Sequence, residues 1–116
     1  MNRVRDIEFF EKSNQTCPVE EFLDSLQLKT KQKVLGVFEL IETLPVIPKK
    51  FFQKLTGTSI WEIRIEYGSN IYRFLCFLYS HNIVVLTHGF QKKSQKTPSR
   101  ELEMAKKYQR EYLKRR

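Results

Sequence analysis

Two arginines and a cluster of lysines are the residues of this chain whose types and spacing could do chemistry. Arg64 lies in the run IWEIRIEY and Arg73 in NIYRFLCF, with Gly68-Ser69 between them. Gly at the first central position of a two-residue loop predicts a tight hairpin. With that loop, Tyr67 pairs with Asn70, Ile65 faces Tyr72, Ile63 faces Phe74 and Trp61 faces Cys76, an apolar face that belongs in the core. A four-residue loop over Tyr67 to Asn70 gives the same pairs. The other face sets Glu66 against Ile71, Arg64 against Arg73, Glu62 against Leu75 and Ile60 against Phe77. A one-residue slip would drive Arg64 into the core.

Like charges in facing positions are destabilising, by up to about 1 kcal/mol. Two arrangements tolerate the pair. Glu62 and Glu66 can neutralise it as a surface ion network, or the pair can receive an anion, since guanidinium forks match phosphate geometry. The segment QKKSQK after Phe90 favours the anion. Lys92, Lys93 and Lys96 emerge at the end of the strand that neighbours Arg73, so four or five cations converge on one sheet face. Lys54, just before the hairpin, either extends that basic surface or is an ordinary surface lysine.

These side chains need a sheet to hold them. Residues 60–97 read as a three-stranded antiparallel meander running into the basic loop. Its third strand spans 82–90, and the Ser80-His81-Asn82 turn leaves two phases open. A three-residue loop puts Val84, Leu86, His88 and Phe90 on the core face, with His88 a hydrogen-bonded structural histidine. A two-residue loop brings Phe90 opposite Arg73 and makes His88 and Phe90 candidates for the functional face. Upstream, residues 5–11 predict a short first strand. Pro18, with Thr16 or Cys17 as cap and Glu20 and Glu21 behind it, predicts a short helix carrying Val19, Phe22, Leu23 and Leu26 on one stripe. A second helix spans 29–44, with Val34, Val37, Phe38, Ile41 and Leu44 inward and Pro45 as its stop. Residues 46–57 read as a connection. Thr97-Pro98 opens a last helix, Thr97 as cap, with Leu102, Ala105, Tyr108 and Tyr112 inward. The expected fold is therefore α+β, an antiparallel sheet of about four strands in the order β-α-α-β-β-β-α, with the N-terminal helical hairpin packed on it and a basic C-terminal helix.

At 116 residues the chain has room for one modest core. No apolar run reaches the roughly 18 residues that span a bilayer, and MNRVRDIEFF lacks a secretory apolar stretch, so a cytosolic location is expected. Cys17 and Cys76 read as reduced and structural, and no Cys/His spacing suits a metal, so neither zinc nor another cofactor is expected. The net charge of +8 is uneven: residues 91–116 hold ten Lys/Arg against three Glu, and residues 1–90 eleven against ten acids. A basic tail on a near-neutral body suggests a polyanionic partner, most simply nucleic acid, although a solvated amphipathic helix with a Lys-rich face has the same composition.

The ordered set KLTGTSIWEIRIEYGSNIYRFLCF and VVLTHGFQKKSQKTPSRELEMA resembles the HigB-like, phage-derived branch of the RelE/ParE toxin superfamily. That branch carries an L-W-E-[IL]-R strand, a Y-R strand and an H-[GA]-F-x-K-K-[TS]-x-K-T-P segment in this order. The resemblance covers about residues 5–112, with Gly89 and Ser94 at positions where Ala and Thr also occur. It implies a single RelE-like domain over 1–116, the toxin of a type II toxin-antitoxin system. Such a toxin would be a ribosome-dependent mRNA endoribonuclease, needing no metal and silenced by a helix-turn-helix (HigA-like) antitoxin. It implies catalytic roles for Arg64, Arg73, Lys92 and Lys93, and RNA contact by Lys54; the residues themselves add His88 as an alternative base, and Lys96 and Phe90 as RNA contacts. The competing readings are a ParE-like gyrase inhibitor and a non-catalytic RNA-binding module.

Overall fold

A computed structural model describes residues 3–92 and 96–116. The elements are β1 (Asp6–Phe9), α1 (Pro18–Asp24), α2 (Leu28–Thr43), β2 (Phe52–Lys54), β3 (Trp61–Tyr67), β4 (Asn70–Tyr79), β5 (Ile83–Gln91) and α3 (Ser99–Lys114). They form one five-stranded sheet in the order β1-β5-β4-β3-β2.

The sheet corrects the expected architecture in two ways: it has five strands rather than about four, and it is mixed rather than antiparallel. β1 pairs parallel to β5, Phe9 against Leu86. A parallel neighbour needs a long crossover, and here the crossover is everything from α1 to β4. β2 lies inside the segment read as a connection, whose proline and lysines hide a three-residue edge strand. Phe52 stacks on Trp61 with ring centroids 4.6 Å apart, which fixes β2 against β3. Exposed Gln53 and Lys54 on so short an edge discourage pairing with another chain.

The β3–β4 hairpin adopts the expected register from Trp61–Cys76 to Tyr67–Asn70, turning at Gly68 with φ +63°. α1 and α2 cover one face. Val19, Leu23, Val34, Val37, Phe38 and Ile41 bury Ile63, Ile65, Phe74, Cys76, Val84 and Leu86. α1 starts at Pro18 as expected, with Glu20 and Glu21 in its first turn. α2 ends where Leu44 turns extended before Pro45. Its last carbonyls are held by Arg5, whose Nη1 donates to Ile41 O at 3.0 Å and Leu44 O at 2.6 Å.

The opposite face is half covered. Ala105, Tyr108 and Tyr112 of α3 bury Ile60, Leu75, Phe77 and Val85 in a second core, so β4 is covered on both faces along residues 74–77. This explains its unbroken apolar run. The capping expectation is corrected: Pro98 is the N-cap of α3 and makes no side-chain cap bond, while the Thr97 hydroxyl is used elsewhere. The far end of α3 is tied to β1, since Tyr112 Oη and Arg116 Nη2 each donate to Glu8 at 2.7 Å. Burial and the Glu8 carboxylate push the Tyr112 phenol up to about 12. Both cysteines are free and buried. Among the described residues no helix is long and apolar enough to cross a membrane.

Candidate functional site

Alternation along three strands builds the site. The Ser80–Asn82 loop holds three residues, because Tyr79 pairs with Ile83. Simple alternation would then send His88 and Phe90 to the face under α1 and α2. A bulge prevents it. Cys76 pairs with Leu86 but Leu75 pairs with His88, so Thr87 is an extra residue and the phase of β5 inverts beyond it. His88 and Phe90 arrive beside Leu75 and Arg73, on the arginine face.

The result is three rows across β3, β4 and β5. Glu62, Leu75 and His88 form one, Arg64, Arg73 and Phe90 the next. Glu66, Ile71 and Lys92 continue the series, since Lys92 N donates to Ile71 O at 2.7 Å. The two arginines share a row but not a fate. Arg73 Nη1 meets Glu62 Oε1 at 2.7 Å, and both side chains are only 7% exposed. Thr97 Oγ1 closes the triangle, accepting from Arg73 Nη1 at 2.7 Å and donating to Glu62 Oε1 at 3.1 Å. Arg64 stays 37% exposed, pairs with Glu66 at 3.2 Å on its own strand, and buries an Nε that has no partner among the described residues. Each arginine thus meets one of the two expected acids. Only Arg64 faces outward.

Beside Arg64 is a small hollow of about 40 Å³, lined also by Lys49, Lys50, Phe52, Gln53 and Glu62. Lys49 and Lys50 fall in the segment that the sequence suggested was only a connection; the signal for them is that a basic stretch after Pro48 adjoins the arginine strand. Lys54, by contrast, pairs with Trp61 and so lies on the face of α1 and α2, away from Arg64. Lys92 is half-buried, and burial with the Arg73 and Arg64 charges lowers its pKa from the usual lysine value. Lys96 is exposed, and Lys93 lies outside the described residues.

His88 is buried between two partners, Thr87 Oγ1 at 3.0 Å from Nδ1 and Glu101 Oε1 at 3.1 Å from Nε2. Burial lowers its pKa, outweighing the Glu101 carboxylate that raises it. The Thr87 hydroxyl also lies 3.0 Å from the Leu75 carbonyl and has one proton to give. Given to Nδ1, the ring is neutral and donates from Nε2 to Glu101. Given to Leu75, Nδ1 must carry a hydrogen and the ring is cationic. The histidine's charge is therefore coupled to the bulge that places it.

Glu101 and Thr97 both flank the start of α3, so that end of the helix is fastened to the sheet by two polar clamps across the site. The exposed surface above them carries Arg64, Phe90, Lys92 and the two hollow lysines. It offers cations for phosphate oxygens, a ring for stacking, and an amine whose proton is loosely held. Among the described residues no group of three or more His, Cys, Asp or Glu could hold a metal.

Residues 21–110 match the family described as phage-derived protein, Gp49-like (DUF891). No curated protein matches the chain.

Proposed function

We propose that this chain, which belongs to the phage-derived Gp49-like family within the RelE/HigB-type toxin superfamily, is a HigB-like toxin that cleaves mRNA on the ribosome. The family implies pairing with an antitoxin; a HigA-like helix-turn-helix protein is the proposed partner. The carrying observation is the row Arg64–Arg73–Phe90 with Lys92 beside it: one half-exposed guanidinium, one aromatic ring and one acidified amine on a single face.

RNA brings its own nucleophile. The protein must align the 2′-hydroxyl in line with the phosphate, stabilise the added negative charge and move two protons. In the proposed reaction Arg64 holds the nonbridging oxygens, and Lys49 and Lys50 hold a neighbouring phosphate in the hollow. The Lys92 amine takes the 2′-proton as the 2′-oxygen–phosphorus bond forms. The bond to the 5′-oxygen breaks, and that oxygen takes a proton from water, leaving a 2′,3′-cyclic phosphate and a 5′-hydroxyl. Arg73 adds charge from beneath while holding Glu62 and Thr97, a positioning role that its burial favours over direct grip. His88, enclosed by Thr87 and Glu101, likewise supports the surface and is displaced as the base by Lys92. Lys93 and Lys96 extend the cationic approach for RNA.

The test is translation in a reconstituted system with mapping of mRNA ends. Cleavage products carrying 2′,3′-cyclic ends, lost with Arg64→Ala, are expected. Intact mRNA with blocked DNA supercoiling would overturn this reading in favour of a gyrase poison on the same scaffold.

A further inference from the structure

Lys92 and Arg64 stand on either side of one gap on the arginine face. Their backbones are two strand spacings, about 10 Å, apart across the sheet and one row out of step, with Arg73 and Ile71 between them. Both side chains are long enough to lean over that gap. Burial, then the Arg73 and Arg64 charges, loosens the proton on the Lys92 amine. Arg64 gives one of its five N–H groups to Glu66, 3.2 Å from Nη2. Beyond it, on the side away from Lys92, Lys50 lines the hollow, with its Nζ 4.9 Å from the Phe51 ring centroid in a contact that suits an ammonium. An anion-holding side, Arg64 with Lys50, thus confronts a nucleophilic amine.

We propose that Lys92 is a site of acylation by small acyl phosphates, which dock their phosphate on Arg64 and pass their acyl group to the lysine. Such a molecule uses both halves of the arrangement. Guanidinium and ammonium take the phosphate oxygens, and the carbonyl carbon, one oxygen removed from phosphorus, is turned towards the amine. Free phosphate offers nothing to attack, and an uncharged ester offers nothing to hold. The Lys92 nitrogen attacks the carbonyl carbon, the bond from that carbon to the phosphate oxygen breaks, and inorganic phosphate leaves with the bonding pair and takes up the proton that the nitrogen sheds. The product is an amide, uncharged and unable to accept a proton. Acylation would therefore switch off cleavage, a consequence that rests on the function proposed above, whereas the acylation itself does not.

The test treats the full chain with acetyl phosphate or with p-nitrophenyl acetate, an uncharged acyl donor, and times acetylation of each lysine by peptide mass spectrometry. With acetyl phosphate, Lys92 is expected to react roughly tenfold faster than the exposed Lys29 and Lys33 of α2, the effect of about one charge-assisted hydrogen bond. Arg64→Gln also alters the amine's surroundings, so the quantity read is the ratio of the two donors' rates at Lys92. That ratio should fall roughly tenfold in the variant, and added inorganic phosphate should slow acetyl phosphate alone. Lys92 reacting no faster than Lys29 and Lys33, or a donor ratio that Arg64→Gln leaves unmoved, overturns the proposal. Chain acetylated at Lys92 should lose mRNA cleavage in proportion to the modified fraction; undiminished cleavage would overturn the role of Lys92 as base and leave the acylation site standing.

Discussion

Arg64 and Arg73 face each other on the sheet, yet their surroundings assign them different work. Arg73 with Glu62 and Thr97 forms a buried triangle, and removing one partner of such a pair leaves a stranded charge. Arg73→Ala should therefore destabilise the fold by about 3–5 kcal/mol in urea unfolding. Arg64→Ala should leave unfolding within about 0.5 kcal/mol of wild type yet lower ribosome-dependent cleavage by about 10²–10³-fold, the usual loss when one donor to a transition-state oxyanion goes. Equal stability loss in the two variants would show that the division is wrong. Lys92 makes a pH prediction. Only its neutral amine accepts a proton, so cleavage should rise with pH and level off below the ordinary lysine range, and Lys92→Ala should remove that limb. The hairpin register behind these residues was legible because a period of two around Gly68-Ser69 admits one solution. Which arginine stays exposed was not, since it depends on Thr97, distant in sequence, reaching Glu62.

At the level of elements, β5 decides what the site contains. Its bulge brings His88 and Phe90 to the arginine face, and no pattern in IVVLTHGFQ announces it. Val84, Val85 and Leu86 are buried on alternating sides, so the apolar run carries no phase. Both loop readings held part of the outcome: three residues in the turn, but the side-chain placement of the shorter alternative. The strand also makes a packing prediction. A Cβ on Gly89 would lie 2.5 Å from the Phe74 ring and 2.8 Å from Phe22. Gly89→Ala, a change the family pattern tolerates, should here cost about 1–3 kcal/mol by denaturant unfolding. Acid should weaken the same region. With the folded pKa of His88 below its unfolded value near 6.5, the unfolded chain binds the extra proton first. The stability that neutral His88 contributes is full above about pH 6.5 and is lost as pH falls towards the folded value. A urea series from pH 7 to 5 should show this decline, smaller in His88→Gln.

For the whole molecule, charge distribution was legible and its deployment was not. The C-terminal excess is partly spent within the fold: Arg116 is paired with Glu8, and Arg115 Nη1 donates to Glu11 O at 2.6 Å. Lys92 of that excess reaches the site, and two further cations, Lys49 and Lys50, come from the segment before β2, whose approach to Arg64 depends on an edge strand too short to read. RNA affinity measured against salt should separate the two groups. Lys49→Gln and Lys50→Gln should each reduce the log–log slope by about 0.7, whereas Arg115→Gln should leave it unchanged.

The pairing of β1 with β5 has a temporal side. The earliest strand made has no partner until Leu86 is synthesised, and the clamps at Thr97 and Glu101 come later still. Contacts this remote slow folding, because the intervening chain must be confined before they form. A nascent chain therefore cannot assemble its cationic face in stages: the arginine row and the clamps beneath it are complete only once the last third of the polypeptide has emerged.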